Sequence, residues 1–157
     1  MTPPHNGAPV GVGDRAPDFA LPGTDGTEQG RRTYSLHACL GSPVVLVFYP
    51  ADGSPVCTAQ LTTYTNDIER FAAVGAQVLA LSPQSVEDHD RFAAEHGGFA
   101  FPLLADERRA VAEIYGVLGP IGFYRRSVFI VGADGMIGYA HRATAGRGRR
   151  QRARPGQ

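Results

Sequence analysis

Apolar residues in this chain occur both as continuous runs and at helical spacing. The run PVVLVFY at 43–49 is unbroken and rich in β-branched side chains, which is typical of a central strand buried on both faces. A second run, AQVLALS at 76–82, predicts the next strand. Between them, apolar residues recur every three or four positions and predict one helix from 58 to 74 that Gly75 ends. Its apolar face comprises Leu61, Tyr64, Ile68, Phe71 and Val74.

Shorter patterns on both sides complete the predicted fold. Residues 18–21 favour a short strand, and Ser85 is the predicted N-cap of a helix that a Gly-Gly pair ends. A short strand near 102–104 and a helix at about 106–115 follow. RSVFIVGADGMIGYA, which begins at 126, predicts a hairpin with a two-residue turn at Asp134-Gly135. We therefore expect an α/β fold whose mixed sheet is parallel in the middle, antiparallel at one edge and flanked by helices.

Length and charge divide the chain into one domain and two tails. We predict a flexible arm at 1–13, rich in Pro and Gly, one domain at 14–141 and a disordered tail at 142–157. The tail holds six arginines and no acid, whereas the rest has nine arginines against 15 Asp and Glu. Without stacking aromatics, such a tail supports only weak, salt-dependent binding, so no specific nucleic-acid partner is expected.

The sequence also bears on localisation. It has no apolar run of 18 residues, so we predict no membrane segment. Its start lacks the basic and apolar pattern of a secretory leader, and we expect a soluble, cytoplasmic protein.

The two cysteines, Cys39 and Cys57, are too few for a disulfide scaffold and lack partners at metal-ligand spacing, so no metal or cofactor is predicted. Cys57 follows the central strand and lies in the first turn of the next predicted helix, where reactive groups collect in α/β sheets. Helix dipoles favour thiolates there, and catalytic cysteines in such settings have pKa values of roughly 3.5 to 7.5. We therefore predict that Cys57 is a nucleophile and not a buried packing residue.

The segment PADGSPVC at 50–57 resembles the Pro-x-x-x-Thr/Ser-x-x-Cys motif of the peroxiredoxins. The resemblance extends over about 12–139, because GVGDRAPDFALPGTDG, VVLVFYP, FPLLAD and RRSVFIVGADGMI are similar to other segments of that family. The subgroup it most resembles is the bacterioferritin-comigratory, or Q-type, peroxiredoxins. This resemblance implies a thioredoxin-like fold and a thiol-dependent peroxidase that reduces hydrogen peroxide, organic hydroperoxides or both.

The resemblance also implies roles for four residues. The thiolate of Cys57 would attack one peroxide oxygen, form a sulfenic acid and release water or an alcohol. Arg126 would favour the thiolate and stabilise charge on the leaving oxygen. Ser54 would orient the peroxide, and Pro50 would shield the sulfur from bulk water. Arg125 is the alternative to Arg126, which is preferred because it directly precedes SVFI.

The chain departs from the subgroup in its second cysteine. Members often carry a resolving cysteine five residues after the first, where this chain has Thr62, or in the helix that here covers 85–96. Cys39 precedes the central strand and is separated from its far end by roughly 20 Å, whereas a disulfide needs Cα atoms within about 7 Å. We therefore predict one-cysteine chemistry with an external thiol reductant such as thioredoxin. The family usually adds a C-terminal helix where this chain has its arginine-rich tail.

The sequence also permits a second interpretation and excludes a third. A non-enzymatic redox sensor or interaction module on the same fold would be oxidised at Cys57 once per molecule, without repeated turnover. A thiol–disulfide oxidoreductase would require a Cys-x-x-Cys pair, which the chain lacks. His89 and His96 are expected to be packing or surface residues, and Asp52 a turn former. The sequence is compatible with a monomer or a homodimer.

Overall fold

A computed structural model describes residues 9–51, 55–66, 68–119 and 122–143. Its strands are β1 (Ala20–Thr24), β2 (Arg32–Ser35), β3 (Val44–Phe48), β4 (Gln77–Ser82), β5 (Leu103–Ala105), β6 (Ser127–Val131) and β7 (Ile137–Arg142). Its helices are α1 (Leu36–Cys39), α2 (Pro55–Asn66), α3 (Ile68–Ala73), α4 (Val86–Glu95) and α5 (Ala110–Tyr115). No helix in these ranges is long and apolar enough to cross a membrane.

The strands form one sheet in the order β2-β1-β5-β4-β3-β6-β7. Strands β3, β4 and β5 are parallel, whereas β6 and β7 on one side and β1 and β2 on the other are antiparallel. The predicted mixed α/β sheet is confirmed, with antiparallel pairing at both edges instead of one. Strand β2 and helix α1 were not predicted, because β2 directs only Tyr34 into the core and α1 is a single turn.

Strand β3 forms the centre of the core, and all five of its residues are buried, as the apolar run predicts. Val45 and Val47 pack on one face of the sheet with Leu61 of α2 and Phe92 of α4. We call this the α2 face. The opposite α5 face is formed by Val44, Leu46 and Phe48 of β3 with residues of α1 and α5. Full burial of each such side chain contributes roughly 1.5–3 kcal/mol, so β3 is anchored on both faces.

The helix predicted over 58–74 corresponds to α2 and α3, which are separated only by residue 67, a position outside the described residues. Helix α2 begins earlier, at Pro55, because proline fits the first helical position, where an amide hydrogen has no intrahelical acceptor. Helix α3 ends at Ala73, before Gly75 with a φ of 75°. Val74 is 69% exposed and does not belong to the predicted apolar face.

The hairpin between β6 and β7 has a longer connection than predicted. Gly132 N donates to Met136 O, and Gly135 N donates to Gly132 O, so Ala133 and Asp134 are the central residues of the turn. Gly135 follows them in the left-handed region, at a φ of 88°. This geometry is a type I turn followed by a left-handed glycine, and the predicted two-residue turn was wrong.

The domain boundaries differ from the prediction at both ends. Val10 was assigned to the flexible arm, yet it is 5% exposed and packs in the core of the α5 face. Gly13 N also donates to Ile137 O of β7. Arg142 was assigned to the disordered tail, yet it is the last residue of β7 and is half-buried. Residues 1–8 and 144–157, the rest of the predicted arm and tail, lie outside the described residues.

Candidate active site

The candidate site lies beyond the carboxyl end of β3. Tyr49 N donates to Leu81 O at 3.0 Å, which keeps the chain beside β4 as it leaves the sheet. The half-buried Pro50 follows, and α2 then places Cys57 in its first turn, the position that the sequence predicts. Ser54 lies outside the described residues.

The start of α2 is electrostatically suited to a thiolate. The first turn of a helix presents amide hydrogens without intrahelical acceptors, and the helix dipole is positive there. No acidic residue occurs in the first turn of α2 to oppose that field. Leu61, one turn further along, is fully buried on the α2 face, so the helix is fixed against β3.

Arg126 enters the sheet at the same end as α2. Ser127, the first residue of β6, pairs with Phe48, the last residue of β3, so Arg126 lies just beyond the end of β3. Ala143 N donates to Arg126 O at 2.8 Å, which continues the antiparallel ladder by one residue. Because Val128 packs on the α2 face, the two-residue alternation places Arg126 on that face as well. The start of α2 and the half-buried Arg126 therefore share one edge and one face of the sheet.

Arg125 makes its contacts on the other side of the sheet from Arg126. Its guanidinium donates to Gly116 O at 3.1 Å and to Ala143 O at 3.5 Å, and its backbone N donates to Val117 O at 2.7 Å. These contacts hold it at the C-terminal end of α5, on the opposite face from α2. The geometry supports the preference for Arg126 over Arg125, while the catalytic role of Arg126 stays a prediction.

A buried carboxylate fixes the segment that leads to Arg126. Asp106, 1% exposed, accepts hydrogen bonds from Val111 N, Ala112 N and the Tyr124 hydroxyl, the last at 2.6 Å. Burial, reinforced by the Asp106 charge, raises the pKa of Tyr124, so its hydroxyl stays a donor. Neither residue has a role that is predicted from the sequence. The available signal was an acid directly after a short strand and before a helix, where it can cap that helix.

Replacing Asp106 with alanine is expected to lower the free energy of unfolding by about 3 kcal/mol, because two buried amides and the Tyr124 hydroxyl lose their acceptor. Urea denaturation measures this change. The matched control is Glu107→Ala at the exposed neighbouring position, expected within about 0.5 kcal/mol of the parent. Equal stability of the two variants would show that the Asp106 contacts are not needed.

The two histidines of α4 occupy packing and surface positions. His89 is fully buried, with Nε2 3.0 Å from Leu104 O and its ring centroid 6.4 Å from that of Tyr49. His96, the exposed C-cap, places Nδ1 3.1 Å from Phe92 O. Both positions agree with the prediction. The described residues contain no group of three or more potential metal ligands.

Cys39 lies at the other end of β3. It is the last residue of α1, and its carbonyl accepts from Gln77 Nε2 at 3.3 Å. Gln77 pairs with Val44, the first residue of β3, so the length of that strand, roughly 15 Å, separates Cys39 from the start of α2. The thiol borders a cleft of about 570 Å³ that Arg32 also lines. Burial raises the pKa of Cys39, and the charge of Arg32 opposes that effect only in part.

Comparison with known proteins identifies the family. Residues 12–140 match the AhpC/TSA family. The chain belongs to this family. It is 34% identical over 132 residues to a Mycobacterium tuberculosis protein provisionally named as a peroxiredoxin, with 80% of each chain covered. It is 32% identical over 136 residues to chloroplastic peroxiredoxin Q of Oryza sativa subsp. japonica, with 84% of this chain and 59% of the rice protein covered.

Solved structures of the same subgroup share the fold. The bacterioferritin comigratory protein of Xanthomonas campestris matches with a TM-score of 0.72 at 29% identity, over 79% of this chain and 80% of that one. A cysteine-to-serine mutant of peroxiredoxin Q from Xylella fastidiosa matches with a TM-score of 0.78 at 26% identity, over 87% of each chain.

These comparisons confirm the resemblance inferred from the sequence, the thioredoxin-like fold and the enzyme class. The chain is a thiol-dependent peroxidase, and members of its family use peroxide substrates and thiol reductants.

Proposed function

We propose that this peroxiredoxin reduces hydroperoxides through Cys57, assisted by Arg126, Ser54 and Pro50. The observation that supports this assignment is the convergence of two elements at one edge of the sheet. Helix α2 starts there with Cys57 in its first turn, and Arg126 enters β6 on the same face. A thiolate and a nearby positive charge at the ends of the strands are what nucleophilic attack on a peroxide needs.

In the first half-reaction, the Cys57 thiolate attacks one oxygen of ROOH. The S–O bond forms as the O–O bond breaks, so sulfur becomes a sulfenic acid and the leaving oxygen takes a proton to become water or an alcohol. Arg126 supplies positive charge where the leaving oxygen becomes negative. Ser54 orients the peroxide by hydrogen bonding, and Pro50 limits access of water to the sulfur.

In the second half-reaction, an external thiol reduces the sulfenic acid. One thiol forms a mixed disulfide with Cys57 and releases water, and a second thiol displaces it and restores the Cys57 thiol. A dithiol such as thioredoxin supplies both equivalents. The position of Cys39 at the far end of β3 supports this one-cysteine scheme.

Peroxide treatment is expected to leave Cys39 reduced, because its half-buried thiol is mostly protonated at neutral pH and thiolate is the reactive form. Intact-mass analysis should show one added oxygen, lost in Cys57→Ser and kept in Cys39→Ser. Iodoacetamide should alkylate Cys39 more slowly in the folded protein than in urea at pH 8. A mobility shift on non-reducing gels that Cys39→Ser removes would contradict this scheme.

Repeated turnover separates the enzyme from the alternative redox sensor. With thioredoxin, thioredoxin reductase and NADPH, each molecule is expected to consume many equivalents of peroxide. Consumption that stops at one equivalent per protein, while the reductant remains in excess, would favour the sensor.

The solved Xanthomonas campestris protein was studied for alkyl peroxide reduction, which supports organic hydroperoxides as substrates here beside hydrogen peroxide. Comparing kcat/KM for hydrogen peroxide and tert-butyl hydroperoxide tests this part. We further propose a cytoplasmic monomer or homodimer, and the shortage of cysteines supports a reducing compartment. Light scattering of the reduced protein measures the assembly state.

A further inference from the structure

Two arginines meet at the C-terminal end of α5. Arg142 Nη2 donates to Tyr115 O at 2.7 Å and to Val10 O at 2.5 Å. Arg125 Nη2 donates to the next carbonyl along the chain, Gly116 O, at 3.1 Å. A Cβ added at Gly116 would lie 3.5 Å from Arg142 Nη2, so both guanidinium groups border this residue.

These two positive charges have no acidic partner among the described residues. Within the described ranges each guanidinium donates to backbone carbonyls, and that of Arg142 also lies 4.9 Å from the centre of the Phe129 ring. Both side chains are half-buried, and the Nε atom of each is buried with no hydrogen-bond acceptor in the described part of the chain. Burial, and then the charge of Arg125, lower the pKa of Arg142.

The end of α5 offsets only part of this charge. A helix C-terminus carries the equivalent of about −0.5 charge, against two whole positive charges here. The sequence after Ala143 adds five arginines and no acidic side chain. Half-buried cations without a counterion raise the free energy of the folded protein. A negative group bound between the two guanidinium groups would therefore be stabilised at this site.

We propose that Arg125 and Arg142 form a binding site for a small oxyanion, with phosphate or carboxylate oxygens bound between the guanidinium groups beside the end of α5. Planar guanidinium groups present paired donors that match two oxygens of such a group. The site lies on the α5 face, opposite α2, and depends on neither Cys57 nor Arg126. Its occupancy is therefore tested separately from the peroxidase activity.

Titration of the full chain with inorganic phosphate tests the site, by calorimetry in HEPES buffer at constant ionic strength. We expect one saturable site, weakened about tenfold or more by Arg125→Gln and by Arg142→Gln, because each removes charged hydrogen bonds. Arg142→Lys keeps the charge but loses the paired donors and should bind between these limits. The exposed Arg108→Gln is the matched control and should bind like the parent. Acetate titrations distinguish phosphate ligands from carboxylate ligands, because acetate displaces bound phosphate only if the site also binds carboxylates.

Thermal unfolding of each variant shows whether it is folded, so that lost phosphate binding is not confused with lost structure. If Arg142→Gln does not fold, Arg125→Gln alone decides, because Arg125→Gln leaves the Arg142 contacts to Val10 and Tyr115 in place. Phosphate binding that never saturates, that neither substitution weakens, or that Arg149→Gln in the tail abolishes would overturn the proposal.

Discussion

Replacing Cys57 with serine is expected to lower the rate constant for hydroperoxide reduction by at least about 1,000-fold, since the substitution removes the attacking atom itself. Serine nearly preserves volume but provides no thiolate at neutral pH. Stopped-flow mixing of reduced protein with hydrogen peroxide measures the rate. Turnover with thioredoxin should be lost to the same extent, because no sulfenic acid forms for the reductant to attack.

Cys39→Ser is the matched control, because it removes the chain's other thiol at the opposite end of β3. We expect it to react at the parent rate and gain one oxygen. If the parent protein itself reacts no faster than a small thiol in solution, the start of α2 does not activate Cys57, and the proposed site is wrong. If Cys39→Ser loses the activity instead, the roles of the two cysteines are reversed.

The central sheet was predictable because its signal is local. The β3 run is apolar at every position, as a strand covered on both faces must be, and the structure buries all five residues. Strand β2 carries no such signal, because three of its four residues remain at least partly exposed. Its place in the sheet is fixed by pairing with β1, a contact that no window of the sequence displays.

The position of Cys57 was predictable for a similar reason: the end of one strand and the start of the next helix can both be recognised along the chain. Choosing between Arg125 and Arg126 needed the resemblance to a family, since neighbouring residues look alike in sequence. The structure separates them by the faces of the sheet they occupy. Asp106 and Tyr124 are 18 residues apart, and their hydrogen bond was not predicted.

The misplaced domain boundaries have a common physical cause. Val10 and Val12 are two valines in a short segment of glycines and prolines, too short for a period to mark Val10 as a core residue, and Arg142 follows the compositional trend of the tail. Yet Arg142 donates to the Val10 carbonyl and so joins the two ends of the described chain. Both domain boundaries thus depend on a long-range contact between two residues whose neighbours have the composition of a flexible terminus.

Replacing Arg126 with glutamine is expected to lower kcat/KM for hydrogen peroxide by roughly 100- to 1,000-fold, the usual cost of removing one donor that stabilises developing negative charge. Arg126→Lys should recover part of the loss, because it restores charge without the planar pair of donors. The measurement is peroxidase turnover with thioredoxin, in a buffer that contains no phosphate.

Arg125→Gln is the matched control, since it removes the same charge one residue away on the opposite face of the sheet. Long-range electrostatics alone would affect both variants similarly, whereas direct contact with the leaving oxygen requires Arg126 on the α2 face. We therefore expect Arg125→Gln to retain activity within about threefold, which is less than 1 kcal/mol in the barrier. A larger loss in Arg125→Gln than in Arg126→Gln would reverse the assignment and place the catalytic charge at Arg125.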